Sequence, residues 1–139
     1  MTTFELNGTA VTASDDHPHL LSALRDELDV LSPKDGCAPS GQCGCCTILL
    51  NGKARIACQT SMEKADGASI TTLEGLPDAE RERYATAFAV HGALQCGFCT
   101  PGFIVSTTAL LKQNPNPSEE EIRAMAIGWK PSWMTSISA

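Results

Sequence analysis

Apolar and polar residues alternate in short runs along the first half of the chain, and this pattern predicts β-strands. The runs are residues 3–6, 9–13, 47–50, 53–58 and 69–73. Asn7-Gly8 separates the first two runs, and Asn51-Gly52 separates the next two. Because Asn-Gly between two alternating runs is a strong signal for a tight turn, the sequence predicts two β-hairpins and one further strand.

Apolar residues at helical spacing predict helices elsewhere, over residues 16–28, 78–92, 103–112 and 118 to about 127. In the first of these, Leu20, Leu21, Leu24 and Leu28 share one face. We expect Asp16 to cap this helix and Pro18 to lie in its first turn. Ser118 followed by Glu121 forms a capping box at the start of the last helix. A half rich in strands, up to about residue 75, is thus followed by a helical half.

Length and charge exclude several classes of protein. The chain has 139 residues, which fits one ordinary domain or two very small ones. Its net charge is −6 and it has no cluster of lysines and arginines, so we expect no nucleic-acid partner. The N-terminus lacks the pattern of a signal peptide, and no apolar run reaches the roughly 18 residues of a membrane span. We therefore expect a cytoplasmic protein.

The chain has seven cysteines, too many for a reducing compartment unless they bind metal or carry redox chemistry. Cys37, Cys43 and Cys46 lie close together in a glycine-containing loop, and Cys58 follows at the end of the second hairpin. Because the two ends of a hairpin lie side by side, Cys58 can return to the other three. Four thiolates in this spacing resemble the ligands of a plant-type [2Fe–2S] cluster.

Two alternatives concern this loop. Zinc also takes four thiolates, but zinc sites usually pair two Cys-x-x-Cys units, whereas the group here is three plus one. Cys45 is a surplus thiol that could replace Cys46 as a ligand, although the Cys43-x-x-Cys46 spacing favours Cys46.

Cys96 and Cys99 form a separate Cys-x-x-Cys motif between two predicted helices. Taken alone, the motif could be half of a metal site, a redox dithiol or two buried thiols. No cysteine follows Cys99, so the pair could recruit only Cys45 from its own chain. The histidines (His17, His19 and His91) are not spaced as a ligand set.

With these motifs in hand, the chain resembles the small iron–sulfur subunits of the molybdenum hydroxylases, the xanthine dehydrogenase and aldehyde oxidoreductase family. The resemblance runs from residue 4 to about residue 125. It is carried by Phe4-Glu5-Leu6-Asn7-Gly8, Leu24-Arg25-Asp26-Glu27-Leu28, Gly36-Cys37, Gly41-Gln42-Cys43-Gly44, Cys46-Thr47, Leu49-Leu50-Asn51-Gly52, Thr72-Leu73-Glu74-Gly75-Leu76, Gln95-Cys96-Gly97-Phe98-Cys99-Thr100-Pro101-Gly102 and Asn114-Pro115-Asn116-Pro117.

The resemblance implies an α+β fold with two domains. Residues 1–76 would form a β-grasp, ferredoxin-like domain, and residues 77–139 a small α-helical bundle, each with one [2Fe–2S] cluster. By position, the ligands of the first cluster are Cys37, Cys43, Cys46 and Cys58. Cys96 and Cys99 match half the ligands of the second cluster, and Gln95 matches a glutamine that lies beside the pterin.

The resemblance also implies a function and partners. The chain would be the electron-transfer subunit of an oxidoreductase complex and carry no substrate chemistry itself. It would pass electrons from a molybdopterin-binding large subunit toward an FAD-binding medium subunit, so molybdopterin and FAD would lie only on the partner subunits.

The sequence departs from the family pattern in two places. Five residues separate Cys37 from Cys43, where many members have four. Members carry a Cys-Arg-Cys pair after the third bundle helix, whereas here Met125-Ala126-Ile127 runs directly into Gly128-Trp129-Lys130-Pro131. We therefore expect one stable cluster and an incomplete second site. The alternative functions are a free-standing one-cluster electron carrier and a zinc- or thiol-based binding module.

Overall fold

The computed structural model describes residues 1–127, whose first half forms one mixed sheet of five strands. The strands are β1 (Thr2–Leu6), β2 (Thr9–Ala13), β3 (Thr47–Leu50), β4 (Lys53–Ile56) and β5 (Ser69–Thr71). Their order across the sheet is β2-β1-β5-β3-β4. β1 and β5 are parallel and the other neighbours are antiparallel, so the two hairpins lie on either side of β5.

Both predicted hairpins are confirmed. In each turn the asparagine and the glycine have positive φ, 51° and 84° at Asn7 and Gly8, and 50° and 77° at Asn51 and Gly52. This is the geometry of a two-residue turn whose twist matches that of the strands. The prediction that the second hairpin reaches Cys58 was wrong, because β4 ends at Ile56 and the chain then makes a 3₁₀ turn over Ala57–Gln59.

The first helix is shorter than predicted. It runs over Leu20–Ser22 (α1) and continues as a wider π-helical turn over Ala23–Glu27. Its N-cap is His19, whose ring nitrogen accepts a hydrogen bond from the Ser22 N–H at 3.1 Å. The prediction that Asp16 caps the helix was wrong, and Pro18 lies before the first turn instead of in it.

The main core lies between the sheet and this first helix. Its buried side chains include those of Phe4, Leu6, Leu20, Leu21, Leu24, Ile48, Met62 and Ile70. Met62 belongs to a single helical turn, α2 (Met62–Ala65), which closes one end of the core. Leu28, predicted to share the apolar face, packs against the core but is only half-buried.

Three helices follow the sheet, as predicted: α3 (Asp78–Val90), α4 (Thr100–Gln113) and α5 (Glu119–Ile127). α4 packs on the sheet, where Val105 and Ala109 contact Leu49 of β3. The Ser118–Glu121 capping box is confirmed, since each residue's backbone N–H donates to the other's side chain, at 2.7 and 3.2 Å.

The helix α3 packs against α4 through an aromatic contact and a hydroxyl–hydroxyl contact. The rings of Phe88 and Phe103 meet edge to face at 5.9 Å, and the Tyr84 hydroxyl lies 3.0 Å from that of Thr108. No side chain of α3 is buried within the described part of the chain. None of the helices over residues 1–127 combines the length and the apolar character needed to cross a bilayer.

The contact between Leu49 and α4 gives a test of how the helical half is held. We expect Leu49→Ala to lower the free energy of unfolding by about 2–5 kcal/mol, because it opens a cavity at a side chain that is 1% exposed. The matched control is Leu111→Ala, on the helix α4 that Leu49 contacts, where the side chain is 38% exposed. It should lower the free energy of unfolding by less than half as much. Urea denaturation of both variants measures the difference, and equal losses would contradict this packing.

Candidate metal centre

The loop that carries Cys37, Cys43 and Cys46 is fixed at its entry by the first helix. The Arg25 guanidinium donates to the carbonyl oxygens of Leu31 and Pro33, at 2.9 and 2.7 Å. The Lys34 N–H then donates to the carbonyl of Cys45 at 3.0 Å, which ties the two ends of the loop together. The backbone near the cysteines is thereby held on both sides.

A second anchor comes from the end of the sheet. Glu74, in the turn after β5, accepts hydrogen bonds from the Ser32 N–H at 3.0 Å and from the Thr72 hydroxyl at 2.6 Å. Burial alone would raise the pKa of the Glu74 carboxyl, but these hydrogen bonds outweigh it and the pKa is lowered. The carboxylate is therefore the form that holds the entry of the loop.

Cys46 and Cys58 are brought together by the second hairpin. Cys46 directly precedes β3, and its carbonyl accepts a hydrogen bond from the Ala57 N–H at 3.2 Å. Both side chains are buried, 1% and 5% exposed, and the thiol of Cys58 neighbours that of Cys46. Burial, with the neighbouring Cys58 and Cys43 thiols, raises the pKa of Cys46 to about 12.

Cys37 and Cys43 form a second pair at the more exposed side of the loop. The Cys37 Sγ accepts the Gln42 N–H at 3.4 Å, and the Cys43 Sγ accepts the Cys45 N–H at 3.4 Å. Burial raises the pKa of Cys37, but hydrogen bonds from Ser40, Cys43 and Gln42 outweigh it and lower the pKa to about 6. Donors aimed at sulfur are the arrangement that stabilises thiolates.

Gly36 leaves room for these sulfurs. A Cβ at this position would lie 3.0 Å from the Cys43 Sγ, 3.2 Å from the Cys45 Sγ and 3.1 Å from the Phe98 ring. Such distances are too short for ordinary packing, so only glycine fits here without moving its neighbours.

The donor set fits a [2Fe–2S] group. The thiols of Cys46 and Cys58 are neighbours at the buried side of the loop, and Cys37 and Cys43 lie at its more exposed side. A dinuclear cluster with four cysteine ligands takes two thiolates on each iron.

The surplus thiol, Cys45, lies beside this set. It is 6% exposed, and its Sγ–H points to the Cys43 carbonyl at 3.9 Å. Burial, and then the Cys43 thiol, raise the pKa of Cys45 to about 12. The sequence left Cys45 and Cys46 open as alternatives, and the structure places Cys46 against Cys58 and Cys45 against Cys43.

The second motif lies on the loop between α3 and α4. Gln95, Cys96 and Cys99 are all exposed, and Cys99 is the N-cap residue of α4. An apolar cavity of about 330 Å³ adjoins Cys99, lined by Phe88, His91 and Phe103 among others. The Gly128-Trp129-Lys130-Pro131 stretch, which bears on the missing cysteine pair, lies outside the described residues.

Sequence reasoning missed the residues that fix the loop. Arg25 reaches the loop entry from the first helix, six and eight residues before Leu31 and Pro33, and Glu74 reaches it from 42 residues after Ser32. No spacing rule marks either residue. His17 and His19 have structural roles, since His17 bridges Ser22 at 2.7 Å and Glu27 at 2.8 Å. Phe98 could have been noticed, because it lies inside the Cys-x-x-Cys motif.

A mixed sheet with four cysteines gathered beside one hairpin defines an iron–sulfur protein of the ferredoxin-like class. Comparison with known proteins identifies the family. Residues 72–128 match the [2Fe-2S] binding domain family.

Two relatives and one solved structure support the same family assignment. The chain is 45% identical over 104 residues to a probable xanthine dehydrogenase subunit of Bacillus subtilis, covering 75% of this chain and 60% of that protein. It is 44% identical over 119 residues to the nicotine 6-hydroxylase small subunit of Paenarthrobacter nicotinovorans, covering 85% and 72%. The structure of quinoline 2-oxidoreductase from Pseudomonas putida superposes with a TM-score of 0.82 at 34% identity, covering 99% and 87%.

The chain therefore belongs to the family of small iron–sulfur subunits of the xanthine dehydrogenase, aldehyde oxidoreductase and nicotinate dehydrogenase type. It spans less than two thirds of the Bacillus relative's length.

The space at Gly36 provides a test of the site. We expect Gly36→Ala to reduce the iron bound per chain to about half or less, because the new methyl group would displace the Cys43 sulfur. Gly52→Ala is the control: it strains a positive φ of 77° at about 1–2 kcal/mol but meets nothing within 4 Å. Iron analysis after anaerobic purification should show normal loading in the control, and normal loading in both would contradict this role of Gly36.

Proposed function

We propose that this chain is the electron-transfer iron–sulfur subunit of a molybdopterin-dependent hydroxylase or dehydrogenase. The observation that carries the proposal is the placement of Cys46 just before β3 and of Cys58 just after β4, beside a loop whose N–H groups donate to the Cys37 and Cys43 sulfurs, on a chain of this family. These four residues would be the ligands of one [2Fe–2S] cluster. When bound, such a cluster accepts and releases one electron at a time.

The chain's own residues prepare the site for this role. The Gln42 and Cys45 N–H groups donate to the Cys37 and Cys43 sulfurs, and hydrogen bonds of this kind set the potential of a bound cluster. Burial of Cys46 and Cys58 keeps water from the inner pair. The side facing Cys37 and Cys43 is more exposed, so electrons have a short route to a partner there.

The partners follow from the relatives. Two of them are by name small subunits, of nicotine 6-hydroxylase and of nicotinate dehydrogenase. In an aldehyde oxidoreductase of Megalodesulfovibrio gigas, the matching region is 13% of one longer protein. We propose a molybdopterin-binding large subunit as electron donor, an FAD-binding medium subunit as acceptor, and substrate chemistry on the large subunit alone.

The helical half would hold an incomplete second site. We propose that residues 1–76 and 77–139 are two domains, the second a helical bundle, and that Cys96 and Cys99 are half of a second ligand set. Gln95 would contact the pterin of the large subunit, and its exposure is compatible with that contact. With two of four thiolates, this site would not retain a stable cluster.

A second candidate function is a free-standing one-cluster carrier. The exposed Cys96 and Cys99, with no cysteine beyond them in the sequence, favour it. The third, a zinc- or thiol-based binding module, would yield a colourless protein that retains zinc after anaerobic purification.

The ligand assignment can be tested with two adjacent cysteines. We expect wild-type protein and Cys45→Ala to hold about two iron and two sulfide per chain, and Cys46→Ala to hold less than about one iron, because it loses one of four ligands. Both side chains are buried, so the pair controls for the loss of a buried thiol. Iron loss in Cys45→Ala with retention in Cys46→Ala would reverse the assignment.

The function itself is tested by purification from the native host under anaerobic conditions. We expect a molybdopterin-bearing chain to co-purify, and substrate added to that complex to reduce the bound cluster, as seen by EPR. Recovery of a redox-active monomer alone would favour the free-standing carrier. About four iron per chain with two EPR signals would contradict the incomplete second site.

A further inference from the structure

The loop of the second cysteine motif reaches back to the first site. A Cβ built on Gly36 would lie 3.1 Å from an edge carbon of the Phe98 ring and 3.0 Å from the Cys43 sulfur. The ring edge and this sulfur therefore border the same space beside Gly36. The ring thus packs against the loop that carries Cys37, Cys43 and Cys46 (the cluster loop), although the two are far apart in the sequence. Phe98 remains 40% exposed, so the ring covers the outer side of the site and does not lie in the core.

A lysine of the cluster loop lies over the same ring. The Lys34 Nζ is 5.6 Å from the centroid of Phe98, within the range of about 6 Å for a cation–π contact. The ammonium also donates to the Ser32 carbonyl at 3.4 Å, and the Lys34 N–H donates to the Cys45 carbonyl at 3.0 Å. The Lys34 ammonium is therefore held between the Phe98 ring and the Ser32 carbonyl, on a residue whose backbone is bonded to Cys45.

The charge of Lys34 is not cancelled locally. Among residues 1–127, no salt bridge pairs Lys34 with a carboxylate. The nearest carboxylate along the chain, Asp35, is turned to the loop backbone, where it accepts the Cys37 N–H at 3.3 Å. In a chain of net charge −6, this ammonium is a positive group on the residue whose backbone N–H is bonded to Cys45.

We propose that Lys34, held by the face of Phe98, raises the reduction potential of the cluster bound at Cys37, Cys43, Cys46 and Cys58. This inference rests on the proposed function, since it needs that cluster. Reduction by one electron adds one negative charge to the cluster and breaks no bond. A fixed ammonium stabilises that added charge, and screening by water is weak because Lys34 is half-buried.

The Cys96–Cys99 loop would then have a role that does not require a second cluster, namely to position Lys34 through Phe98. Phe98 acts through Lys34 and is a positioning residue. Its contact with Lys34 would make the potential of the first site depend on how the loop between α3 and α4 is placed.

The test is an EPR-monitored redox titration of the anaerobically purified chain with dithionite. We expect Lys34→Gln to lower the midpoint potential by an amount equal to roughly a threefold to tenfold change in the reduction equilibrium, tenfold being about 59 mV for one electron. Lys34→Arg keeps the charge and the cation–π contact and should remain near wild type. Lys53→Gln, the same change at the far turn of the second hairpin, should not shift the potential.

Phe98→Leu separates positioning from simple packing. It should lower the potential when Lys34 is present and have no such effect in the Lys34→Gln background, because residues that act through one another are not additive. Equal shifts in both backgrounds would overturn the positioning role of Phe98. Should Lys34→Gln fail to bind iron, Lys34→Met is the second neutral variant.

The outcomes distinguish the two proposals. If the wild-type chain shows no [2Fe–2S] signal, the proposed function fails and this inference fails with it. If the wild-type chain titrates normally and Lys34→Gln shifts no more than Lys53→Gln, the inference alone is overturned.

Discussion

Cys46 and Cys58 lie side by side because the second hairpin pairs Thr47 with Ile56. Neighbouring strands are about 4.8 Å apart, so residues just outside a paired end remain close together. A slip of the register by one residue would turn every side chain of β4 to the other face and carry Cys58 away from Cys46. The tight Asn51-Gly52 turn disfavours that slip.

The unequal environments of the thiols govern how the site takes up metal. Iron binds the thiolate, so each ligand must lose its proton. The pKa of Cys37 is lowered to about 6, which favours its thiolate at neutral pH, whereas burial raises the pKa of Cys46 to about 12 and favours its thiol. With both residues as ligands, as proposed, binding of iron at neutral pH would release the proton of Cys46, and the affinity for iron would rise with pH.

The elements that were predicted correctly are those that depend on short sequence motifs. Both hairpins follow from Asn-Gly turns, and the last helix follows from the Ser118–Glu121 box, since each depends on a few adjacent residues. The start of the first helix could not be predicted in this way. The His17 ring contacts the Glu27 carboxylate, ten residues later, and His19 caps the helix where Asp16 was expected to do so.

The site shows the same division. The cysteine spacing predicted that Cys58 could return to the other three, and in the structure the second hairpin places Cys46 and Cys58 just outside its paired end. The loop is also supported by Glu74, whose contact with Ser32 joins residues 42 positions apart and depends on the packing of the sheet. No pattern within a short window carries that information.

The parallel pairing of β1 with β5 has a consequence for folding order. Glu5 and Ser69 are neighbours in the sheet but 64 residues apart in the chain. A hairpin closes in about 1–10 μs, whereas a pairing between distant segments must first overcome the entropy of a long loop. The two hairpins should therefore form early and the central strand should insert last. Until that strand inserts, the core in which Cys46 and Cys58 are buried would be incomplete, so these two thiols would be more accessible than in the folded chain.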